Sequence, residues 1–327
     1  MSQIKVGVLR GGIGAEYEIS LQSGFFVLKH LPEPYQGFDI LIAKDGTWHF
    51  KGLPIAPWQV ARQVDVVFNA LHGFFGEDGQ VQTLLDGLLI PYTGSGPLAS
   101  ALAMRKSLTK ELLRGQDIKV PPGLIWRRQS NAELETQAGT AAELAFRRLA
   151  PPWVVKPENR GSSVGVVLAP DLQTLAVAIY NCFSYSDSVL IESYIRGREA
   201  TCAVIDGLRG TEHYVPPVIE IRRPAGRAIW NYTDKYSGET AEICPGCFTS
   251  AEKNALAAAA VKVHRLLGLR DYSRSDFIVS PRGIYLLEVN SLPGLTATSL
   301  LPKSLSAVGI SAPQFFDHIL TRALARK

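Results

Sequence analysis

The first 95 residues alternate short apolar runs with segments of helical spacing. Ile4–Leu9 is a β-rich run that stops at Gly11-Gly12-Ile13-Gly14, and Ser20–Leu28 has helical periodicity. Ile40–Ala43 and Asp65–Ala70 predict further strands, and a helix begins near Val81. Strands and helices in alternation predict a parallel α/β sheet. The turn-rich Pro91-Tyr92-Thr93-Gly94-Ser95-Gly96-Pro97 marks a boundary. Beyond it the pattern predicts a helix over Leu98–Arg114 closed by Gly115, a strand at Gly123–Trp126, a helix near Ala132–Leu149 and a strand at Trp153–Lys156. From Val189 the chain turns strand-rich, with Val189–Ser193, Glu199–Ile205 and Val218–Ile221. Thr249-x-x-Glu252 has the form of a capping box opening a helix to Leu267, which Gly268 stops. Its apolar face, Leu256, Ala260, Val263 and Leu267, reads as core, and His264 as an ordinary surface or packing histidine. The expected division is an N-terminal α/β unit over 1–95, a small mixed unit over 96–188 and a C-terminal unit over 189–327.

Composition narrows the function classes. The 327 residues are 46% apolar and 20% charged, ordinary for a globular protein, with a net charge of +4. No basic stripe with interleaved aromatics occurs, so nucleic acid is not an expected partner. No apolar run approaches the ~18 residues of a membrane span, and the first strand begins too early for a secretory leader. No membrane association and a cytoplasmic location are therefore expected. The cysteines are Cys182, Cys202, Cys244 and Cys247. The Cys244-Pro245-Gly246-Cys247 segment lacks the second ligand pair of a zinc site and reads as a turn.

Four segments carry candidate chemistry. Arg274–Val279 and Ile284–Asn290, joined by Ser280-Pro281-Arg282-Gly283, predict a hairpin. Arg274 and Asp276 share one face of the first strand, and Glu288 and Asn290 one face of the second. An odd-length turn would bring Asp276 near Glu288. Such hard oxygen ligands suit Mg²⁺ completed by substrate phosphates; a solvent-facing polar edge is the competing reading. Lys156 ends a strand before the Gly161-Ser162-Ser163-Val164-Gly165 loop, which has the means to hold phosphates but is not a Walker A loop. Gly11-Gly12-Ile13-Gly14-Ala15-Glu16-Tyr17 fails as a dinucleotide fingerprint because the third glycine would fall at Tyr17. Its Glu16 suits a substrate ammonium group. His72-Gly73-Phe74-Phe75-Gly76-Glu77-Asp78-Gly79 follows a strand end, where α/β proteins place ligands.

In their order, these segments resemble the D-alanine–D-alanine ligase family of the ATP-grasp superfamily, from about Val6 to Gly309. The resemblance rests on Glu16-Tyr-Glu-Ile-Ser20, the His72–Gly79 loop, Pro91-Tyr-Thr-Gly-Ser-Gly96, Ala101-Leu-Ala-Met-x-Lys106 with Thr109-Lys110, Lys156-Pro157 with Gly161–Gly165, and Gly197-Arg-Glu199. Its most specific piece is Arg274-x-Asp276 with Leu286-Leu-Glu-Val-Asn-Ser-Leu-Pro-Gly-Leu-Thr296 and Ser299-Leu-Leu-Pro302. It implies an ATP-grasp fold, α/β in class and α+β in its ATP-binding part, with ATP between the second and third units.

The resemblance also implies roles. Lys106 and Lys156 meet ATP phosphates under a loop that includes Ser163. Glu192, Ser193, Tyr194 and Ile195 form the adenine hinge, and Glu199 takes the ribose hydroxyls. Asp276, Glu288 and Asn290 hold two Mg²⁺ (or Mn²⁺). Glu16, linked to Ser162 and Tyr236, holds the first D-alanine's ammonium group near His72 and Glu77. Ser299 and Leu300 seat the second D-alanine's carboxylate. Lys235, Arg274 and the Gly294 N–H stabilise charge during transfer through an acyl phosphate, and 228–237 is the closing loop. Tyr236 goes with dipeptide rather than D-alanyl-D-lactate formation in that family, and a homodimer is expected. Gly14 stands where serine is usual and Arg105 where aspartate is usual, which implies altered loop contacts. The competing readings are a nucleotide-binding relative without catalysis and an ATP-grasp ligase for another amino or hydroxy acid.

Overall fold

The computed structural model describes residues 3–130, 132–161, 164–223 and 240–326. Among these residues three sheets are formed. The first contains β1 (Ile4–Gly11), β2 (Tyr35–Ile42), β3 (Trp48–Phe50), β4 (Leu53–Pro54) and β5 (Val66–Asn69), in the order β4-β3-β2-β1-β5. β1 runs parallel to β2 and β5, as the alternating pattern predicts, and β3 and β4 extend the sheet by antiparallel pairing. Both faces are covered, so β1 and β5 read as continuous apolar runs. Val6, Val8, Val66 and Phe68 pack with Val27 of α1 (Tyr17–His30) on one side. Leu9, Ile40, Ile42 and Val67 pack on the other with Val81 and Leu85 of α3 (Gln80–Gly87), which follows the one-turn helix α2 (Pro57–Val60).

The single helix expected over 98–114 is two helices, α4 (Pro97–Met104) and α5 (Lys106–Leu113), because Arg105 takes an extended conformation at φ −94° and ψ 95°. Thr109 Oγ1 donates to the Leu102 carbonyl at 2.7 Å, satisfying an acceptor that the break leaves over. The break makes Lys106 the first residue of a new helix. Both helices pack on the third sheet.

The central sheet contains β6 (Gly123–Arg127), β7 (Trp153–Pro157), β8 (Val167–Ala169) and β9 (Ser188–Ser193), ordered β6-β9-β7-β8 with antiparallel pairing. Helices α6 (Leu134–Arg148) and α7 (Leu172–Cys182) bury its apolar side around Trp153, Val155 and Ile191. The cut expected between 188 and 189 therefore runs through β9, whose partners are β6 and β7. A strand's own pattern does not reveal which sheet it joins.

The third sheet holds β10 (Arg198–Asp206), β11 (His213–Tyr214), β12 (Ile219–Arg222), β13 (Ala241–Ile243), β14 (Tyr272–Ser280) and β15 (Gly283–Asn290). Helix α8 (Ser250–Leu266) packs Leu256, Ala260 and Val263 into it. The Thr249/Glu252 capping box is formed in both directions: Glu252 N donates to Thr249 Oγ1 at 3.2 Å and Thr249 N to Glu252 Oε2 at 2.8 Å. His264 is not on the surface but fully buried, its Nδ1 2.7 Å from Ser273 Oγ. After β15 come α9 (Leu300–Ser306) and α10 (Ala312–Leu324); Phe315, Phe316 and Ile319 of α10 return to the first sheet and join the two units in one apolar core. Among the described residues no helix is long and apolar enough to cross a membrane.

Candidate active site

A two-residue turn, Pro281-Arg282, starts the β14–β15 pairing at Ser280↔Gly283 and would by itself set Asp276 opposite Leu287. A β-bulge between Asp276 and Phe277 shifts the register by one, giving Asp276↔Glu288 and Arg274↔Asn290. The expected juxtaposition of the carboxylates is present, but the bulge produces it rather than an odd-length turn. Arg274 grips Asp276 with two hydrogen bonds, Nε to Oδ1 at 3.0 Å and Nη2 to Oδ2 at 2.8 Å. Asn290 Nδ2 donates to Oδ2 at 3.2 Å, and Thr201 Oγ1 donates to Oδ1. Burial works against the Arg274 charge, yet Asp276 and Glu288 outweigh it and raise its pKa. Arg274, Asp276, Glu288 and Asn290 thus form one cluster rather than a solvent-facing edge.

Asp276 and Glu288 border a cleft of about 890 Å³ between the central and third sheets. Val154 and Val166 line it from the central sheet, Ile278 and Leu287 from the third, and Glu192, Ser193, Tyr194 and Ile195 from the end of β9 and the segment that follows. A narrow apolar slot with a polar edge suits a flat heteroaromatic ring. Glu199, at the start of β10, also lines the cleft, its Oε2 3.7 Å from Arg223 Nε.

Lysines gather at the polar end. Lys106 Nζ donates to the Arg160 carbonyl at 2.7 Å and lies 3.3 Å from Glu288 Oε2. Lys156 Nζ lies 2.7 Å from Glu192 Oε2, while the other Glu192 oxygen takes Lys110. No expectation from the sequence attaches to Lys110 itself, although Thr109-Lys110 belongs to the family motif. Burial pushes its pKa down to about 7 despite Glu192, and the neighbouring Lys156 adds to the push. Burial likewise opposes the charge on Glu192, but the two lysines prevail and hold it below the usual carboxylate range. An amphipathic helix start explains Lys110 only as a surface residue; its place against β9 is a long-range contact that spacing does not encode. Glu158, buried and hydrogen-bonded by Ser107, was missed for the same reason.

A second pocket adjoins the first and shares Arg160 and Val164 with it. Glu16, at the N-terminal end of α1, lines it with Gly73, Asn159, Gly161 and Tyr185. A Cβ on Gly161 would stand 3.1 Å from both Glu16 carboxylate oxygens, and one on Gly73, at φ +68°, would run into that carboxylate. Glycine is thus required for the β5 loop to approach Glu16. Glu77 Oε2 accepts the Gly73 N–H at 2.8 Å; burial, with Glu16 adding to it, pushes its carboxyl up to about 8. His72 is buried, with Nε2 2.8 Å from Ser23 Oγ, and burial lowers its pKa. Pro293, Gly294 and Leu295 cross to this side, Leu295 N donating to Ser23 Oγ at 3.4 Å. A Cβ on Gly294 would lie 2.9 Å from Ser299 Oγ, so Gly294, Ser299 and Leu300 at the start of α9 form a compact turn. Ser162, Ser163, Lys235 and Tyr236 lie outside the described residues.

Two contiguous pockets, one lined by Lys106 and Lys156 and one holding the Glu16 carboxylate, are the geometry of phosphoryl transfer to a small zwitterion. A sequence profile of the D-ala D-ala ligase C-terminus matches residues 112–321, and one of the D-ala D-ala ligase N-terminus matches residues 51–95. The chain belongs to the D-alanine–D-alanine ligase family. It is 38% identical over 329 residues to the D-alanine–D-alanine ligase of Syntrophotalea carbinolica, covering 100% of this chain and 98% of that protein. With the enzyme of the same name from Geobacter sulfurreducens it is 39% identical, over 98% and 94% of the two chains. Among solved structures, the VanG D-Ala:D-Ser ligase from Enterococcus faecalis superposes with a TM-score of 0.85 at 29% identity, over 98% of this chain and 100% of that one. The D-alanine–D-alanine ligase from Bacillus anthracis complexed with ATP gives 0.79 at 29%, over 99% and 98%. The fold is the ATP-grasp fold of this family, as the sequence resemblance implies.

Proposed function

We propose that this family member joins two D-alanines to D-alanyl-D-alanine at the expense of ATP, through an acyl phosphate, for peptidoglycan precursor synthesis. The observation that carries the reading is the shared wall of the two pockets: Arg160 and Val164 border both the lysine-lined cleft and the Glu16 pocket. In this assignment the adenine lies against Glu192–Ile195, the ribose reaches Glu199, and Lys106 and Lys156 meet the phosphates, with Ser163 and Lys235 completing the set.

Asp276, Glu288 and Asn290 offer hard oxygen atoms, two of them ionisable, beside the phosphate lysines; this donor set fits Mg²⁺ (or Mn²⁺). Bound there, two such ions would neutralise phosphate oxygens. The chain's own groups do the rest. Glu16, with Ser162 and Tyr236, holds the ammonium of the first D-alanine, with His72 and Glu77 behind it. The γ-phosphoryl group passes to that substrate's carboxylate oxygen as ADP leaves. The unprotonated amine of the second D-alanine, its carboxylate seated at Ser299 and Leu300, attacks the acyl carbon. Phosphate departs with the former carboxylate oxygen and the amine gives up a proton. Arg274 and the Gly294 N–H are the fixed donors for the charge that builds on oxygen.

The likeness to the VanG D-Ala:D-Ser ligase keeps D-serine as a competing second substrate, whereas curated relatives at 34–39% identity are D-alanine–D-alanine ligases. We further take the enzyme to be a cytoplasmic homodimer acting without nucleic acid or membrane, and a three-unit division, with its second boundary after β9, to describe its domains. D-alanine labelled with ¹⁸O in its carboxylate tests the chemistry. One label per turnover is expected in the released phosphate, and unlabelled phosphate with labelled dipeptide would exclude the acyl phosphate.

A further inference from the structure

Away from the active site, at the other end of β10, three metal-ligating side chains meet. Asp206 closes β10, His213 opens β11, and His264 stands in the last turn of α8. One ring nitrogen of each histidine and a carboxylate oxygen of Asp206 all lie within 4.8 Å of one another. Both histidines aim at the same oxygen, Asp206 Oδ1: His213 Nδ1 stands 2.8 Å from it and His264 Nε2 3.1 Å. His264 is fully buried, and at that distance its Nε2 still makes no hydrogen bond of acceptable angle. Its other nitrogen has a partner, Nδ1 lying 2.7 Å from Ser273 Oγ. His213 Nε2 is 3.5 Å from the exposed Glu212 carboxylate.

On His264 the Ser273 hydroxyl at the outer nitrogen can take its proton and leave the inner lone pair directed at the common point, while the outer nitrogen of His213 is buried and makes no hydrogen bond. Metal-ligating histidines have the outer arrangement seen at His264. Three metal-ligating atoms converge on one point, and the buried, unpartnered Nε2 of His264 is directed into it. We propose that Asp206, His213 and His264 bind one Zn²⁺ ion, with a water as fourth ligand on the less deeply buried His213 side. Two imidazoles and one carboxylate are borderline ligands that suit zinc rather than Mg²⁺ or Ca²⁺. Ligand atoms on a tetrahedral zinc stand about 3.3 Å apart, so the 2.8 and 3.1 Å separations open by a fraction of an ångström. Arg322 Nη2, 3.7 Å from the other Asp206 oxygen, opposes a cation, and Asp271, paired with Arg322 and Arg326, offsets it. His318 Nε2 is 2.7 Å from the Asp206 carbonyl, so the ion would brace β10, β11 and α8 next to α10. The role is structural.

The test is Zn²⁺ uptake by chelator-treated full-length protein, without nucleotide and in excess Mg²⁺ to fill the acidic cluster of the active site. About one zinc per chain and a Tm that rises with Zn²⁺ concentration are expected. His213→Gln should weaken uptake at least tenfold while retaining D-alanine-dependent ATP turnover, and Ser273→Ala should weaken it ~10–100-fold. A Cys244→Ser/Cys247→Ser double variant should bind as the parent does. Should His213→Gln fail to fold, the visible spectrum of Co²⁺-loaded wild-type protein decides: a tetrahedral spectrum without thiolate charge transfer is expected. No uptake, uptake unaffected by His213→Gln, or a thiolate band would overturn the proposal and leave the two imidazoles directed at Asp206 without a metal.

Discussion

Removal of the Arg274 guanidinium has two consequences, of which magnesium should relieve only one. The side chain is largely buried, 13% exposed, and makes two of the hydrogen bonds received by Asp276, itself 10% exposed. Breaking a buried pair from one side is worth about 3–5 kcal/mol of stability, because the remaining charge is left uncompensated. In Arg274→Ala the Asn290 and Thr201 contacts remain, so about 3 kcal/mol in metal-free buffer is the better figure. If Asp276 is a metal ligand, a divalent cation with nucleotide supplies the missing positive charge, and most of that loss should disappear. Catalysis should not recover in the same way. A fixed donor aimed at developing charge is worth about 2.7–4 kcal/mol, or 10²–10³ in kcat, and kcat and kcat/KM for D-alanine should fall together. Urea unfolding with EDTA and with Mg²⁺-ADP, alongside steady-state kinetics, measures both. Equal destabilisation in the two buffers, or a kcat within tenfold of wild type, would refute the reasoning. Arg274→Lys should remain poor, since an ammonium cannot reproduce the two-pronged grip.

Further variants probe other parts of the site and its scaffold. Gly73→Ala, by displacing the Glu16 carboxylate at a positive φ, should lower kcat/KM for D-alanine at least tenfold with the KM for ATP little changed; an unchanged D-alanine KM at the first site would argue against Glu16 as its holder. Glu77 keeps its proton up to about 8 in the folded protein but releases it near 4.5 when unfolded, so its contribution to stability falls as pH rises across that window. Glu77→Gln should therefore flatten the decline between pH 5 and pH 8, and denaturation at several pH values showing the same slope in both proteins would exclude this cause. Thr249→Ala, which removes one half of the capping box, should cost about 1 kcal/mol in urea unfolding and leave turnover intact.

Local signals were readable in the sequence wherever the physics is local. The capping box at Thr249 and Glu252, the continuous apolar runs of β1 and β5, and the turn at Pro281-Arg282 follow from neighbours within a few residues. Arg105 shows the first limit: nothing in the helical spacing of 98–114 announces an extended residue, or that a new helix starts at Lys106. The bulge at Asp276 shows the second, because two-residue turn parity predicts the wrong partner and only the paired strands reveal the extra residue, Leu287. Lys110 and Glu158 were invisible as buried polar groups since their partners, Glu192 and Ser107, lie 82 and 51 residues away. Ordered motifs, read against a known family, supplied what spacing did not: they named Glu16, Lys106, Lys156, Glu192 and Glu288, which the fold gathers around two adjoining pockets.

The central claim is the reaction itself. Purified protein with ATP and Mg²⁺ is assayed for phosphate release with and without D-alanine, the product being identified by mass, and D-serine is offered in competition. The account predicts release that depends on D-alanine, one phosphate per dipeptide, and D-alanyl-D-alanine as the dominant mass. Release indifferent to D-alanine, or a product built only with D-serine or another acid, would contradict it.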